Sequence, residues 1–193
     1  MFENFFGGLI KLIISLSAGA LGVIPGIDGS DVAFSQFEFN VADNQIFISA
    51  QIQNELNPRI DDIIKSGRAV RLKITSECYK TSNEKESVKK KNIVKIVNYD
   101  VLKKQYEVTN NRTDLRKIHA DSSLMWQDFL TIVEQSVFTS KDFPDRDKYF
   151  IKVTARLETE LEIGGKSLDL MLFWNNKPPT AITDKFDNTI FIF

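Results

Sequence analysis

A long stretch of two-residue alternation near the C-terminus constrains the fold more than any other feature of the sequence. From Tyr149 to Ile163 the odd positions carry apolar residues or threonine, and every even position except Phe150 carries a polar or charged residue. A period of two places these two sets on opposite faces of a β-strand, and one buried and one solvated face is typical of an antiparallel sheet. Gly164-Gly165 then predicts a turn, followed by a return strand formed by Leu168, Leu170, Leu172 and Trp174.

Shorter alternating stretches predict further strands around this hairpin. They are a hairpin over residues 37–52, a strand over 70–78, strands over Ile93–Val97 and Tyr106–Val108 joined through Asn98-Tyr99-Asp100, and a final edge strand over Ile190–Phe193. The polar residues 80–92 predict either an exposed loop or the solvated tips of two strands.

Two segments have the spacing of helices. The first begins at Pro58 after the N-cap Asn57, places Ile60, Ile63 and Ile64 on one face, and closes at Gly67. The second runs over Ser122–Gln135 with Asp121 or Ser122 as its cap. Together these elements predict a mainly β fold of the α+β type. We expect an antiparallel β-sandwich or half-open barrel with two helices, preceded by an apolar N-terminal segment.

Residues 5–24 are apolar except for Lys11 and a few small polar residues, and about 20 such residues can span a bilayer. Three interpretations are open: a signal peptide cleaved after Ala20, a retained membrane anchor, or a buried or interfacial helix of a cytosolic protein. We expect export, so that the protein is periplasmic or anchored to the inner membrane. The chain then divides into a signal peptide or anchor (1–24), a linker (25–31) and a β-rich domain (32–193).

The composition excludes several classes of function. The 193 residues contain 25 Lys and Arg against 26 Asp and Glu, which is not the basic balance of a nucleic-acid-binding domain. A single Cys excludes an internal disulfide and a cysteine-rich zinc site, and a single His excludes a two-histidine metal centre. We therefore expect no cofactor, no metal and no nucleic-acid partner.

Each candidate for catalytic chemistry has a simpler structural interpretation. Gly165-Lys166-Ser167 lacks the first glycine and the helix of a phosphate-binding loop, and His119 has no serine in a nucleophile-elbow motif to activate. Cys78 is in phase with apolar strand residues, which predicts a buried thiol. The remaining candidates are carboxylates that fit a solvated turn, a weak cation site or a solvated strand face: Asp142, Asp145, Asp147, Glu158, Glu160 and Glu162. We expect no catalytic residue and no enzymatic activity.

Two surfaces are candidates for binding. Phe150, Met171 and Phe173 interrupt the polar face of the C-terminal hairpin and predict either an exposed apolar patch for a partner or ligand, or a region covered by a helix. Lys89-Lys90-Lys91, with Lys80, Lys85 and Lys95, form a basic cluster that could contact anionic lipid headgroups or an acidic partner, although a charged loop tip is the default interpretation.

The order of short motifs resembles a bacterial family known only as a domain of unknown function. The matching residues are Gly67-Arg68-Ala69-Val70-Arg71-Leu72 after a short helix, Val97-Asn98-Tyr99-Asp100-Val101-Leu102, Tyr106-Glu107-Val108, and a helix around Leu124–Val133. The resemblance implies an exported β-rich domain, since members of that family are exported and are often encoded beside two-component sensor kinases. It implies no catalytic residues.

These observations lead to two expected functions. The first is a non-enzymatic cell-envelope protein, a scaffold or accessory subunit, whose β-rich domain binds a protein partner and which contacts the membrane through residues 5–24 if they are not cleaved. The alternative is a periplasmic carrier of an apolar ligand such as lipid, whose sign would be a continuous pocket lined by Phe and Leu. A hydrolase that works through His119 is a third option.

Overall fold

The computed structural model describes residues 12–13, 32–53, 58–113, 115–159 and 169–191. Over these residues the chain forms ten strands: β1 (Leu12–Ile13), β2 (Ala33–Ala42), β3 (Gln45–Gln53), β4 (Val70–Lys80), β5 (Asn83–Asp100), β6 (Gln105–Asn110), β7 (Arg116–His119), β8 (Thr131–Thr139), β9 (Tyr149–Thr159) and β10 (Thr180–Ile182). The two α-helices are α1 (Pro58–Lys65) and α2 (Ser122–Phe129).

The strands form two antiparallel sheets. One has the order β1-β2-β3-β8 and the other has the order β10-β9-β4-β5-β6-β7. The sheets do not close into a barrel over the described residues, so the fold is the mainly β sandwich with two helices that the sequence predicts. The long strand at the C-terminus is confirmed as β9, which pairs in regular register with β4 from Val70↔Thr159 to Lys80↔Tyr149.

The core lies between the sheets and is made of the inward positions of the alternating strands. On β4 and β9 every second residue is buried, including Leu72, Ile74, Ile151 and Leu157, each at most 1% exposed. Ile60 and Ile64 of α1 join this core, and Gly67 ends the helix in the left-handed region at φ 83°. The predicted N-cap Asn57 lies outside the described residues.

The second helix begins as predicted but ends much earlier. Asp121 caps it by accepting hydrogen bonds from the backbone N–H groups of Ser123 (2.8 Å) and Leu124 (3.1 Å). The helix ends at Phe129, and residues 131–139 form β8 on the edge of the smaller sheet. The expectation of helix to Gln135 is wrong because β-branched Thr131, Ile132 and Val133 favour a strand once β3 is available for pairing.

The predicted return strand after β9 is also wrong over its described part. Met171–Trp174 form a 3₁₀ helix, and β10 takes the edge position beside β9. Residues three apart eclipse in a 3₁₀ helix, so Met171 and Trp174 can both enter the core, whereas a strand would place them on opposite faces. The Gly164-Gly165 turn and the Gly165-Lys166-Ser167 motif lie outside the described residues.

Two smaller expectations are corrected. Asn98-Tyr99-Asp100 belong to β5, and the connection to β6 is the turn 101–104, in which the Asp100 carboxylate accepts from the N–H groups of Leu102 and Lys103, each at 3.0 Å. The expected final edge strand is a 3₁₀ helix over Asn188–Phe191, since its Ile190 and Phe191 pack against the core. Residues 80–92 form strand tips, the second of the two predicted alternatives.

The apolar segment 5–24 lies outside the described residues except for Leu12–Ile13, which pairs with β2. No helix in the described part of the chain is long and apolar enough to cross a membrane.

Candidate functional site

The α2 helix bridges the open side of the sandwich. It follows β7, the last strand of the larger sheet, and precedes β8, the last strand of the smaller sheet. Its buried residues Met125, Trp126 and Phe129 pack into the core, and the helix contacts β5, β6, β7 and β8. This crossover leaves a cleft of about 520 Å³ between α2 and the two edge strands.

The polar part of this cleft is centred on the Asp128 carboxylate. Lys117 Nζ lies 2.9 Å and Lys95 Nζ 3.6 Å from Asp128 Oδ1, and His119 Nε2 lies 3.1 Å from Oδ2. We call these four residues the Asp128 cluster. An ionised carboxylate only accepts hydrogen bonds, so the imidazole proton that faces Asp128 is on Nε2.

The register of the sheet explains how two strands and a helix bring the cluster together. Lys117 and His119 of β7 stand opposite the buried Val108 and Tyr106 of β6, so both side chains lie on the inner face of the sheet. Lys95 stands between buried Ile93 and Val97 on β5 and also points inward.

Lys95 is a buried lysine whose ammonium group donates a hydrogen bond at the C-terminal end of α2. Its Nζ donates to the carbonyl oxygens of Asp128 and Thr131, the second at 2.9 Å. The last carbonyls of a helix have no intrahelical partner and carry partial negative charge, which a lysine satisfies. Burial lowers the pKa of Lys95, and the charge of Asp128 opposes this effect only in part.

The Asp128 carboxyl responds to the same surroundings in the opposite sense. Burial alone would raise its pKa, but the hydrogen bond from Lys117, the charge of Lys95 and the hydrogen bond from His119 hold the pKa below its ordinary value. Asp128 is therefore ionised at neutral pH. One carboxylate is shared by two ammonium groups and an imidazole.

The rim of the cleft is apolar and exposed. Leu115, Leu124 and Val133 line it and are 60%, 56% and 66% exposed. Both neighbouring strands have a free edge, because no described strand pairs with the outer side of β7 or β8. A second, more open cleft beside α2 is lined by polar residues together with Ile52, Trp126 and Leu130.

The two residues considered for catalysis lie in different surroundings. His119 lies in the Asp128 cluster, and the Asp128 carboxylate is the only hydrogen-bond partner of its imidazole among the described residues. Cys78 is buried, as predicted, and burial raises the pKa of its thiol to about 12.

The candidate acidic residues bind lysines. Asp142 pairs with Lys89 at 3.0 Å, and Asp145 and Asp147 pair with Lys80 at 2.5 and 2.9 Å. No group of three or more His, Cys, Asp or Glu residues suited to a metal ion occurs in the described ranges. Glu158 lies on the outer face of β9, and Glu160 and Glu162 lie outside those ranges.

The expected aromatic patch does not form as an exposed unit. Met171 is a core residue at 2% exposure, which corrects the expectation for that residue. Phe150 is half-buried and stacks on Tyr79 with ring centroids 5.3 Å apart, and Phe173 packs against the core. Among the described residues, the two clefts beside α2 have no phenylalanine in their lining, so neither has the expected character of a lipid pocket.

The expected basic surface is partly neutralised. Lys89 pairs with Asp142, and Lys90 pairs with Glu77 at 2.9 Å. Lys91 is half-buried and lies near enough to Asp142 to lower the pKa of that carboxyl. A role in contacting an anionic surface stays a prediction.

Two residues of the cluster, Lys117 and Asp128, are not singled out by the sequence, and Lys95 is placed only in the basic cluster around Lys89-Lys90-Lys91. Lys95 follows the lysines of the polar segment, although its phase with Ile93 and Val97 is the signal that places it inward. Asp128 follows Met125 by three residues, so helical spacing places both on one side of α2. Lys117 lies in β7, a strand of only four residues, and a strand this short cannot be recognised from alternating apolar and polar residues.

The model of a family described as a domain of unknown function (DUF4390) matches residues 29–162. The chain belongs to this family. The match contains the entire Asp128 cluster and the whole of α2, β7 and β8. No curated protein and no solved structure gives a significant match.

Proposed function

We propose that this family member is a non-enzymatic cell-envelope protein that binds an extended segment of a partner protein in the cleft beside α2. It would act as a scaffold or accessory subunit. The observation that carries the proposal is that two sheet edges, unpaired among the described strands, meet three exposed apolar side chains at one cleft. An exposed strand edge offers backbone hydrogen bonds to an added strand, and neighbouring apolar residues give the added side chains a surface to pack on.

The lining of the cleft suits a peptide. Asn110, Gln127 and Gln135 supply side-chain amides that can donate to and accept from a peptide backbone. Leu124 lies on α2 and Val133 on β8, so the apolar contacts come from two sides of the cleft. Deep apolar burial of a small ligand is not favoured, because Lys95, His119 and Asp128 lie in the lining.

We propose no enzymatic role because the surroundings of His119 do not suit it as a general base. A general base in nucleophilic catalysis needs a hydroxyl or thiol within hydrogen-bond reach. The described residues give His119 only the Asp128 carboxylate, and the thiol of Cys78 is buried on β4.

Site-specific photocrosslinking in living cells tests the binding site. A photoreactive phenylalanine analogue replaces Leu124 in the cleft or, as the control, Leu102, which is 96% exposed in the turn between β5 and β6. We expect a covalent adduct from position 124 alone, with the crosslink mapped by mass spectrometry to an extended segment of one partner. Equal adducts at both positions, or none at position 124, would exclude the cleft as the binding site.

The envelope location is a separate part of the proposal and needs its own test. It is supported by the apolar segment 5–24. The full chain is expressed in a bacterium, the cells are fractionated, and the intact mass of the product is measured. A periplasmic product that begins at Leu21, or a full-length product in the inner membrane, supports export. A full-length soluble product in the cytoplasm contradicts it.

A further inference from the structure

The Asp128 cluster contains more positive than negative charge. Lys95 and Lys117 contribute two ammonium groups against one carboxylate, and protonation of His119 would add a third positive charge. Among the described residues, Asp128 is the only acidic one in the lining of the cleft. A surface with an unbalanced charge of one sign attracts a segment of the opposite sign and rejects segments of the same sign.

Lys117 is the member of the cluster that an incoming strand can reach. Its side chain is 59% exposed, and its ionic partner among the described residues is Asp128 alone. An ammonium group has three donors, so the single bond to Asp128 leaves two N–H groups for a ligand. Lys95 is 5% exposed and already donates to two carbonyl oxygens. It therefore contributes positive charge to the cleft but does not contact the incoming strand.

The edge of β7 is better suited than the edge of β8 to accept a strand. β7 pairs with β6 in unbroken register from Tyr106↔His119 to Thr109↔Arg116. The pairing of β8 with β3 shifts register twice, and Glu134 of β8 has a left-handed backbone with φ 45°. Irregularities of this kind protect a strand edge from pairing. The exposed Glu134 would also repel an acidic strand.

The charges on β7 also select among strands. Arg116 already pairs with Glu107 at 2.6 Å, so Lys117 is the charge on β7 that faces the cleft. Lys117 favours a strand that carries Asp or Glu, and it disfavours a second copy of β7, which carries the same lysine. The charge on β7 thus disfavours self-association and favours an acidic partner.

We propose that the occupant of the cleft is an extended acidic segment of a partner protein, which pairs with the outer edge of β7 and places a carboxylate against the Lys117 ammonium. The inference rests on the proposed function, since it names the chemistry of the partner for the same cleft.

A peptide selection tests this while the natural partner is unidentified. The full chain is panned against a phage-displayed library of random dodecapeptides, and enriched sequences are synthesised and titrated by fluorescence anisotropy. We expect alternating apolar and polar sequences that contain Asp or Glu. Lys117→Gln should weaken their binding about tenfold, and Lys117→Arg should retain it, because loss of a close charge pair is expected to be worth about that factor.

Two further variants distinguish an error in the acidic chemistry of the partner from an error in the cleft as the binding site. Leu124→Ser removes an apolar contact of the cleft, and Lys103→Gln, in the exposed turn 101–104, is the matched charge control and should leave binding unchanged. If the enriched peptides are neutral or basic, and Leu124→Ser weakens their binding but Lys117→Gln does not, the inference of an acidic partner is overturned. The proposal that the cleft binds a partner segment would then still stand. If no peptide is enriched, or binding is insensitive to both cleft variants, both proposals are overturned.

Discussion

Substitution of Asp128 by Asn should destabilise the fold more than its position at the mouth of a cleft suggests. The change keeps the size of the side chain but removes the negative charge shared by Lys95, Lys117 and His119. The exposed Lys117 pair is worth about 0.5 kcal/mol, and the hydrogen bond from His119 to a charged acceptor about 1 kcal/mol. Removing the carboxylate from buried Lys95 costs about 1.5 kcal/mol, less than for an isolated buried pair because two carbonyl acceptors remain. We expect a loss of about 3 kcal/mol.

Urea unfolding measures this loss, because Trp126 and Trp174 are buried and their fluorescence changes when they reach water. The control is Asp147→Asn, the same chemical change in a half-exposed residue that pairs with Lys80, and it should cost under about 0.5 kcal/mol. Equal losses in the two variants would refute the view of Asp128 as the centre of a partly buried ionic network.

A second test is the pH dependence of the difference in unfolding free energy between the wild-type chain and Asp128→Asn. The pKa of Asp128 is lower in the folded chain than its unfolded value of about 3.9, so its contribution is fully present above that value. The contribution is lost as the pH falls through the folded pKa. The stability gap between the wild-type chain and Asp128→Asn should therefore shrink as the pH falls below about 4. A gap that persists unchanged at the lowest pH at which both chains fold would contradict this assignment.

Three further predictions concern the fold. Ile64→Ala should lower the free energy of unfolding by about 3 kcal/mol, because Ile64 is fully buried on α1, and half-buried Ile63→Ala by clearly less in the same urea titration. Gly67→Ala should cost about 1 kcal/mol in that titration, because its φ is 83° while no described atom lies near the added methyl group. Cys78 should resist iodoacetamide at pH 8 in the folded chain and react after unfolding, since its pKa is about 12; rapid alkylation of the native chain would refute its burial.

The elements that the sequence predicts correctly are those decided by local physics. The period of two over Tyr149–Thr159 needs only a partner sheet to bury its apolar face, and β4 supplies it. Helix α1 carries its own start and stop signals in Pro58 and Gly67, so its limits do not depend on distant residues.

The elements that the sequence does not predict are decided by competition with distant strands. Residues 131–135 have helical spacing in isolation, but pairing with β3 makes them strand. Leu170, Leu172 and Trp174 alternate as in a strand, but a 3₁₀ helix buries Met171 and Trp174 together, which a strand cannot do. The Asp128 cluster combines Lys95 of β5 with residues of β7 and α2, so its existence follows only from the topology that brings β5, β7 and α2 together.

Lys95 contributes both to the position of α2 and to the positive charge of the cleft that we propose binds an acidic segment. Its position on β5 lies between Ile93 and Val97, where an apolar side chain would pack without the cost of burying a charge. Burial lowers its pKa, which means that the folded chain disfavours its charged form. The ammonium donates to the carbonyl oxygens of Asp128 at the end of α2 and of Thr131 at the start of β8, and it adds to the positive charge of the cleft. Lys95→Met should therefore weaken binding of an acidic peptide and also lower the free energy of unfolding, because Asp128 and the two carbonyl oxygens lose a donor. A folded Lys95→Met chain with unaltered affinity would show that Lys95 does not contribute to binding.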